Sequence, residues 1–565
     1  MMDMDFKNSS KIQKSKLMKI IKNNIYQSLC ILTLGLIALA GCKEDEEMFE
    51  RTRLFRPVLI EDLFSEENTI IVNMGKLKEA MSYTLEVSRD SFATTEYLID
   101  TDTNYVVLDE ELLGEPLFWN MLYQVRATAH ADNEEYDSEI SDLGNVRTQR
   151  FPTILNSPQS YDVIDIAAQV SWTKAGAAVT SVKAFAADDL YLRTPLVEQE
   201  VTSSEQAAGE MVLANLDPET TYQVAIYSET VLRGWVNYTT LMPDIDPTGP
   251  GVIDIRANTS PSAVADAIAT APAGSTILVE RGMTYDLPSD PLTKAISIRA
   301  AYGFGEQKAK LSTTGNWDIA DGSDIEFIRF IDLEIRGEDY GGDYVFNPNR
   351  DNVHVGELSF ENCEVGTFRG ILRARGTTVI DNYIISNTLV DSLGGYGLFT
   401  VDSEATSMVK NIKLVNSTFN KMQFGVTSRS SSESFLIESC TFGNFINAGG
   451  GIFRYRGGDG NDNVTNGIVI HNSIFGHGWD EDLDDAYAIR GIYDGLESTN
   501  FDIVNVYSTF DFSFSSGEIP GFPVGNYKGA QADLWVNPDI NDFNFKDKGF
   551  AGRYDSGDPR WRAKL

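Results

Sequence analysis

Seven short segments constrain this chain more than any other feature. They are "RFIDLEI" (329–335), "SFENCEV" (359–365), "YIISNTLV" (383–390), "IKLVNSTF" (412–419), "FLIESCTF" (435–442), "IVIHNSIF" (468–475) and "FDIVNVYS" (501–508). Each alternates apolar and polar positions around one polar residue: Asp332, Asn362, Asn387, Asn416, Ser439, Asn472 and Asn505. These positions lie 30, 25, 29, 23, 33 and 33 residues apart, so the intervening length varies while the strand stays constant. Such a unit cannot bury its apolar face alone, and stacking it against its neighbours makes a solenoid. An Asn repeated at one turn can stack as an amide ladder, each side chain satisfying the next. The expectation is a parallel β-helix with one such strand per coil.

Register then decides the cysteines. Cys363 and Cys440 both follow the ladder position, three coils apart. Adjacent strands are spaced by roughly 4.8 Å, which separates the two by about 14 Å. A disulfide needs Cα atoms within roughly 7 Å. Both are expected as free thiols inside the coil.

The preceding chain has a different character. Residues 52–150 read as short strands between turn signals, with "SYTLEVSRD" (82–90) and "LYQVRATAHA" (122–131) alternating as half-buried strands do. Residues 151–245 repeat the plan, with an inward Trp172 and "LANLDPETTYQVAIYSE" (213–229) entering a strand through Tyr222. "PDIDPTGPG" (243–251) is a Pro/Gly-rich linker, and "SAVADAIATAPAGSTILVERGMTYDL" (262–287) reads as amphipathic helix, turn and buried strand.

The Leu-x-Pro-x-Thr-x-Tyr-x-Val pattern resembles the approach to the sixth strand of fibronectin type III domains, where the Tyr closes a corner onto upstream backbone; Tyr123 is its counterpart in the first segment. Residues 252–565 resemble the right-handed β-helix of pectate lyases and related polysaccharide lyases, with 262–287 similar to its N-terminal cap. The fold class expected is therefore all-β: tandem fibronectin type III-like sandwiches followed by a right-handed parallel β-helix solenoid.

The N-terminus carries a transport signal. Six lysines between Lys7 and Lys22 precede "LCILTLGLIALAGC", an apolar run that ends in small residues and reads as a cleaved export signal over residues 1–41. "LAGC" resembles the bacterial lipobox, which implies acylation of Cys42 and anchorage through buried acyl chains. "KEDEE" follows within the linker 42–51 and resembles the signal that sends lipoproteins of the Bacteroides group to the outer face of the outer membrane. With the C-terminal "RYDSGDPRW" (553–561), the whole resembles surface lipoproteins of Bacteroidetes polysaccharide-utilisation systems. That resemblance implies an outer-membrane, cell-surface location, membrane contact through the anchor alone, and neighbouring glycan-uptake proteins as partners.

Composition narrows the chemistry. A net charge of -37 argues against nucleic acid as a partner, and four histidines make a His triad or multi-His metal site a poor first choice. In this acidic chain "GILRARG" (370–376) returns as "GIFRYRG" (451–457). Aligned on their glycines with "GLFTVDS" (397–403) and "GVTSRSS" (425–431), the strands give one column of Arg373, Thr400, Ser428 and Arg454. The second column is Arg375, Asp402, Ser430 and Arg456, on the same face because strand side chains alternate. Leu372, Phe399, Thr427 and Phe453 point the other way, inward. An exposed cationic strip suits an extended anion, since Arg offers carboxylates a planar fork; the alternative is that Asp402, Asp459 or Asp462 neutralise it and brace the stack.

In polysaccharide lyases of the resembled fold, an Arg or Lys takes the C5 proton of a uronate while calcium or a second cation stabilises the enolate-like intermediate. The resemblance thus makes Arg373, Arg375, Asp402, Arg454 and Arg456 the catalytic or glycan-binding candidates. Calcium needs clustered oxygens, for which "GGDGNDN" (457–463), with Asp459 and Asp462, and "DEDLDD" (480–485), with Asp480 and Asp482, are the only candidates. "GHGWD" (476–480) offers His477 and Trp479 as a sugar platform. Two function classes compete: a polyuronate lyase, and a module that captures acidic, pectin-like polysaccharide, with the balance toward binding accompanied by weak cleavage. Hydrolysis ranks lower because it needs paired carboxylates and the strip offers only Asp402; adhesion is a third option.

Overall fold

Asp332, Asn362, Asn387, Asn416, Ser439, Asn472 and Asn505 all adopt left-handed backbone, with φ between 49 and 56°. In the computed structural model, which describes residues 52–563 apart from 314, 404–405, 459 and 480–486, these residues make the bend between two faces of a right-handed parallel β-helix of about nine turns. Asn and Asp tolerate this conformation better than other non-glycine residues, which explains their recurrence. The bends from Asp332 to Asn472 are tied to the next coil through backbone, for example Asn362 N to Ser386 O (3.0 Å) and Asn416 N to Glu438 O (3.0 Å).

The continuous amide ladder is corrected. Side-chain amide bonds join Asn362 to Asp332 (3.0 Å) and Asn505 to Asn472 (2.9 Å), but Asn472 turns its own amide to Glu438 (2.7 Å) where Ser439 interrupts the column. The shared requirement is the backbone bend, and the side-chain bonds are local additions to it.

Three strands make up each full coil. The first face runs through Asp324–Ile331, Met408–Val415, Ser434–Glu438 and Ile468–His471, and the second through Leu333–Arg336, Thr418–Met422 and Thr441–Phe445. The third runs through Tyr344–Phe346, residues 370–374 and 397–401, Val426–Ser428 and Gly451–Tyr455. All pairings between coils are parallel. A second column of left-handed residues, Thr367, Ser392, Lys421 and Asn444, bends the chain from the second face toward the third. It has no residue type in common, so no sequence pattern announces it.

The interior is apolar and stacked in register. Phe330 lies on Phe360 (5.1 Å), and Phe419, Phe442 and Phe475 form a continuous stack at 5.0 and 4.2 Å. Each such ring is worth roughly 1.5–3 kcal/mol through burial. Just past the ladder, Cys363, Thr388, Ser417, Cys440 and Ser473 form an interior column in which hydroxyls accept neighbouring N–H groups, as in Cys363 N to Thr388 Oγ1 (3.1 Å) and Cys440 N to Ser473 Oγ (3.0 Å). Both cysteines are buried free thiols. The helix Ala263–Thr270 buries Ala263, Val264, Ala267 and Ile268 over the first coils.

Residues 52–152 form a separate unit. A four-stranded antiparallel sheet (Tyr97–Thr101, Ser82–Ser88, Leu122–His130, Ser141–Arg147) and a three-stranded one (Phe64–Glu66, Thr69–Asn73, Tyr105–Leu108) enclose Ile70, Val72, Leu85, Tyr123 and Val125. Tyr123 Oη accepts from Phe118 N at 3.0 Å, closing a tyrosine corner.

The second unit begins with another fibronectin-like sandwich. Pro195–Glu200, Ser181–Ala186, Thr221–Ser228 and Val231–Thr239 form one sheet, Glu210–Ala214 and Ala167–Ser171 the other, with Trp172 buried between. Tyr222 Oη accepts from Asp217 N at 2.9 Å, the same corner. This sandwich is fastened to the first coils by Asp244, whose carboxylate takes Arg299 (2.7 Å) and the backbone N–H of Tyr302 (3.1 Å). At the other end the chain returns as a strap along the second face: Trp561 Nε1 donates to Thr418 Oγ1 (2.7 Å), and Asn420 Nδ2 to Pro538 O (2.7 Å). Gly443 is needed under it, because a Cβ there would lie 2.4 Å from the Phe543 ring.

Candidate functional site

The third face carries the arginines, in a register that differs from the glycine alignment. Phe399 pairs with Val426 and Val426 with Phe453, so the column is Arg373, Thr400, Thr427 and Arg454. The neighbouring column becomes Arg375, Asp402, Arg429 and Arg456: Arg429 N bonds Val401 O (3.1 Å), and Arg456 N bonds Ser428 O (2.8 Å). Ser428 and Ser430, expected on the strip, are buried, and Val426 replaces Thr427 in the inward set. One residue of slip exchanges the two sides of a strand.

Gly425 causes the misreading. It occupies the position of Leu398 and Ile452, while Phe424 takes the place of Gly397 and Gly451. Gly425 is small because the next coil passes close by: a Cβ there would lie 2.2 Å from Ile452 O. The shift exchanges Ser430 for a cation, Arg429, and one hydroxyl for another, Thr427 in place of Ser428.

Charge on this face is unevenly compensated. Asp402 takes Arg373 through Nε (2.7 Å) and Nη2 (2.6 Å), and faces Arg456 Nη2 at 3.8 Å. Arg454 pairs with Asp494 (2.9 Å), which enters the column through a bulge in the following coil. Arg375 donates to the Asn347 amide oxygen (2.9 Å), and Arg429 has no carboxylate partner among the described residues. Among the described residues, five arginines on this face meet two aspartates, Asp402 and Asp494, which leaves its Arg375–Arg456 side cationic.

These environments act on the guanidiniums in opposite directions. Burial opposes the charge on Arg373, but its bond to Asp402 prevails and raises its pKa. At Arg456, burial followed by the nearby charges of Arg454 and Arg429 outweighs Asp402, and the pKa is lowered. The Nε atoms of Arg375 and Arg456 are buried without a hydrogen-bond partner.

Aromatic rings frame the columns. Tyr396 lies under Arg373 (4.7 Å) and Arg369 (4.6 Å), and Tyr493 under Arg454 (4.4 Å) and Arg490 (4.1 Å). Tyr344 meets Tyr396 edge-on at 5.3 Å, and burial pushes its phenol up to about 12. Cation–π contacts of this kind hold a guanidinium in a fixed orientation. Sequence reasoning missed Arg429, Asp494 and all three tyrosines; the only signal for Arg429 was the arginine inside "GVTSRSS".

The sugar-platform candidates are placed elsewhere. His477 Nε2 meets the Asn444 side chain (3.0 Å), beside Gln531 of the C-terminal strap, and burial lowers its pKa. Trp479 meets Tyr340 edge-on at 6.2 Å. The structure groups His477 with the strap instead of with the arginine columns.

Of the calcium candidates, Asp459, Asp480 and Asp482 lie outside the described residues, as does Cys42. Asp462 accepts from Asn463 Nδ2 (2.8 Å), and Asp402 is engaged by arginines, not by further oxygens. Among the described residues no group of three or more His, Cys, Asp or Glu is placed to hold a metal ion.

Residues 283–422 match a family described as a domain of unknown function (DUF4957). The match includes Arg373, Arg375 and Asp402 and stops before Arg429, Arg454 and Arg456. No curated protein matches the chain. A crystal structure of the chicken CNTN1 FN1–FN3 domains is similar at 14% identity over 34% of this chain and 69% of that one, with a TM-score of 0.15. A score that low carries no argument; the fibronectin-like assignment stands on the sheets and the two tyrosine corners.

Proposed function

We propose that this chain is a lipid-anchored surface protein of the Bacteroidetes type whose β-helix binds an acidic, uronate-containing polysaccharide. One observation carries the reading: in a chain of net charge -37, the face of Arg373, Arg375, Arg429, Arg454 and Arg456 concentrates five guanidiniums against Asp402 and Asp494 among the described residues. Local positive charge in an acidic molecule selects an anionic chain over neutral ones and steers its approach. Forked donors stand on three of four successive coils, at Arg375, Arg429 and Arg456, with Asp402 on the coil between the first two; coils spaced at roughly 4.8 Å place them along one line that suits an extended polycarboxylate. Tyr396 and Tyr493, with two guanidiniums over each ring, keep those arginines oriented beside it. "LAGC" and the acidic run after Cys42 support the anchor and the surface location, and neighbouring glycan-uptake proteins belong to the same reading.

The lowered pKa of Arg456 favours a second activity, slow β-elimination. A neutral guanidine at that position would take the uronate C5 proton, the C4–O bond to the adjoining sugar would break as C4=C5 forms, and the departing oxygen would collect a proton from water, while Arg429 and Arg454 would stabilise the charge developing on the carboxylate. An arginine is protonated at ordinary pH, so the neutral fraction is small and cleavage is expected to be weak.

The test uses the soluble mature chain with homogalacturonan, rhamnogalacturonan and alginate, each with and without calcium. Retention on an affinity gel of one of these, lost on Arg456→Ala, supports binding. Absorbance from unsaturated product, lost on the same substitution, adds the lyase. No retention by any acidic glycan would sink both readings.

A further inference from the structure

A cavity of about 450 Å³ lies where the second sandwich, the first coils and the C-terminal strap meet. Ser160, Tyr161 and Leu241 come from the sandwich, Tyr302 and Lys308 from the coils, and Trp561 from the strap. Its volume falls within the roughly 300–1,000 Å³ of small-ligand sites. It borders the ladder turn between the first and second faces, at Asp332 and Asn362, and shares no residue with the arginine columns.

We propose that this cavity binds a short neutral oligosaccharide. The proposal goes beyond the acidic-glycan reading and stands independently of it.

Charge argues for a neutral ligand. Three cations line the cavity, Arg281, Lys308 and Arg560, against three carboxylates, Glu306, Asp332 and Glu364. They are largely committed to one another and to the frame: Arg281 and Lys308 both bond Asp332, Glu306 accepts from Tyr161 Oη (2.9 Å), and Arg560 donates to Asn387 O (2.7 Å). No net charge is left to attract an anion, in contrast to the third face.

Hydrogen-bonding capacity and ring faces argue for a sugar. Besides its paired charges the wall carries the uncharged polar side chains of Ser160, Asn362 and Asn541. Such a wall penalises an apolar guest and rewards hydroxyls. Tyr161, Tyr302 and Trp561 are each only partly buried; Arg299 lies over the Tyr302 ring (5.1 Å) and Arg560 over the Trp561 ring (5.7 Å), so these rings offer a pyranose the side turned away from the guanidinium. The frame is also set before any ligand arrives. The Asp244 bonds to Arg299 and Tyr302, the Tyr161–Glu306 bond, and the Trp561–Thr418 bond tie the three walls together, which lowers the ordering cost of binding.

The test is calorimetric titration of the soluble mature chain with xylohexaose, mannohexaose, cellohexaose and maltohexaose. Trigalacturonate serves as competitor. Ser160→Trp fills the mouth from an exposed position and keeps every bond named above, and Tyr302→Ala removes one ring face; the melting temperature of each confirms folding. The expected result is a Kd of about 1 mM or tighter for at least one neutral oligosaccharide, weakened about tenfold by either variant and undisturbed by excess trigalacturonate. Three outcomes would overturn the proposal: no binding by any of the four, binding that Ser160→Trp leaves intact, or displacement by trigalacturonate. The last would assign the ligand to the arginine columns, whose own test uses acidic polymers and so fails or succeeds separately.

Discussion

Asp402 holds Arg373 at 2.6 Å from the preceding coil and faces Arg456 at 3.8 Å from two coils further on. One carboxylate thus spans both ends of the echoed arginine pairs. Bracing and anion binding are therefore not exclusive readings of the strip: Arg373 is committed to the brace, while Arg429 and Arg456 carry the surplus charge.

Replacing Asp402 separates these roles. Asp402→Asn keeps the shape but frees Arg373, a bond to a charged group worth about 1–3 kcal/mol at this degree of burial. Chemical denaturation should show that loss, and polygalacturonate should bind about tenfold more tightly. Unchanged affinity would show that Asp402 does not limit the charge of the face.

Arg429 is the residue that only the register reveals. Arg429→Ala should weaken acidic-polymer binding about tenfold and flatten its salt dependence, because one cation fewer is screened. Ser430→Ala, one residue on and buried, should leave the salt dependence unaltered. Affinity electrophoresis at two ionic strengths reads both.

The ladder bend can be tested at Asn416, where φ is 50°. Asn416→Gly should be nearly neutral, since glycine adopts this backbone freely. Asn416→Val should cost about 1–2 kcal/mol from the left-handed conformation alone. Equal melting temperatures for the two variants would return the explanation to the side-chain amide.

His354 lies between Asp324 (2.7 Å) and Asp381 (2.9 Å) on the first face, and its bonds to Asp324 first and Asp381 second raise its pKa. A folded pKa above the unfolded value of about 6.5 means the stabilisation is complete below that pH and is lost as pH rises through the folded pKa. The stability gap between the native chain and His354→Gln should accordingly be larger at acidic than at alkaline pH. A gap that widened with pH would contradict the assignment.

Cys363 and Cys440 should resist a thiol reagent until the coil opens, because burial pushes Cys363 up to about 12 and Cys440 higher still. A chain beginning at Lys43 should release no thiol signal when native and two equivalents in denaturant.

Much of the fold was legible because burial imposes a repeat. The period around Asp332 to Asn505, the amphipathic segment ending in "AIATAP", and Tyr123 and Tyr222 each carry a local pattern whose physical cause is local. The site was legible only in part. Arg373 and Arg454 fall in one column on either alignment, but Arg429 did not appear, because Gly425 imitates a turn glycine while serving a close backbone approach. Asp494 reaches Arg454 only through a bulge, and Tyr396 and Tyr493 lie in segments with no repeat to align.

The chain's own pattern therefore determined that coils form and which residues bend them, since alternation and left-handed turns are properties of a few consecutive residues. Only the tertiary structure decided which side chains share a face and which charges remain uncompensated. In a parallel solenoid, neighbours across coils come from segments more than twenty residues apart. Their register is set by how closely backbones pack, and a single small residue can shift it by one.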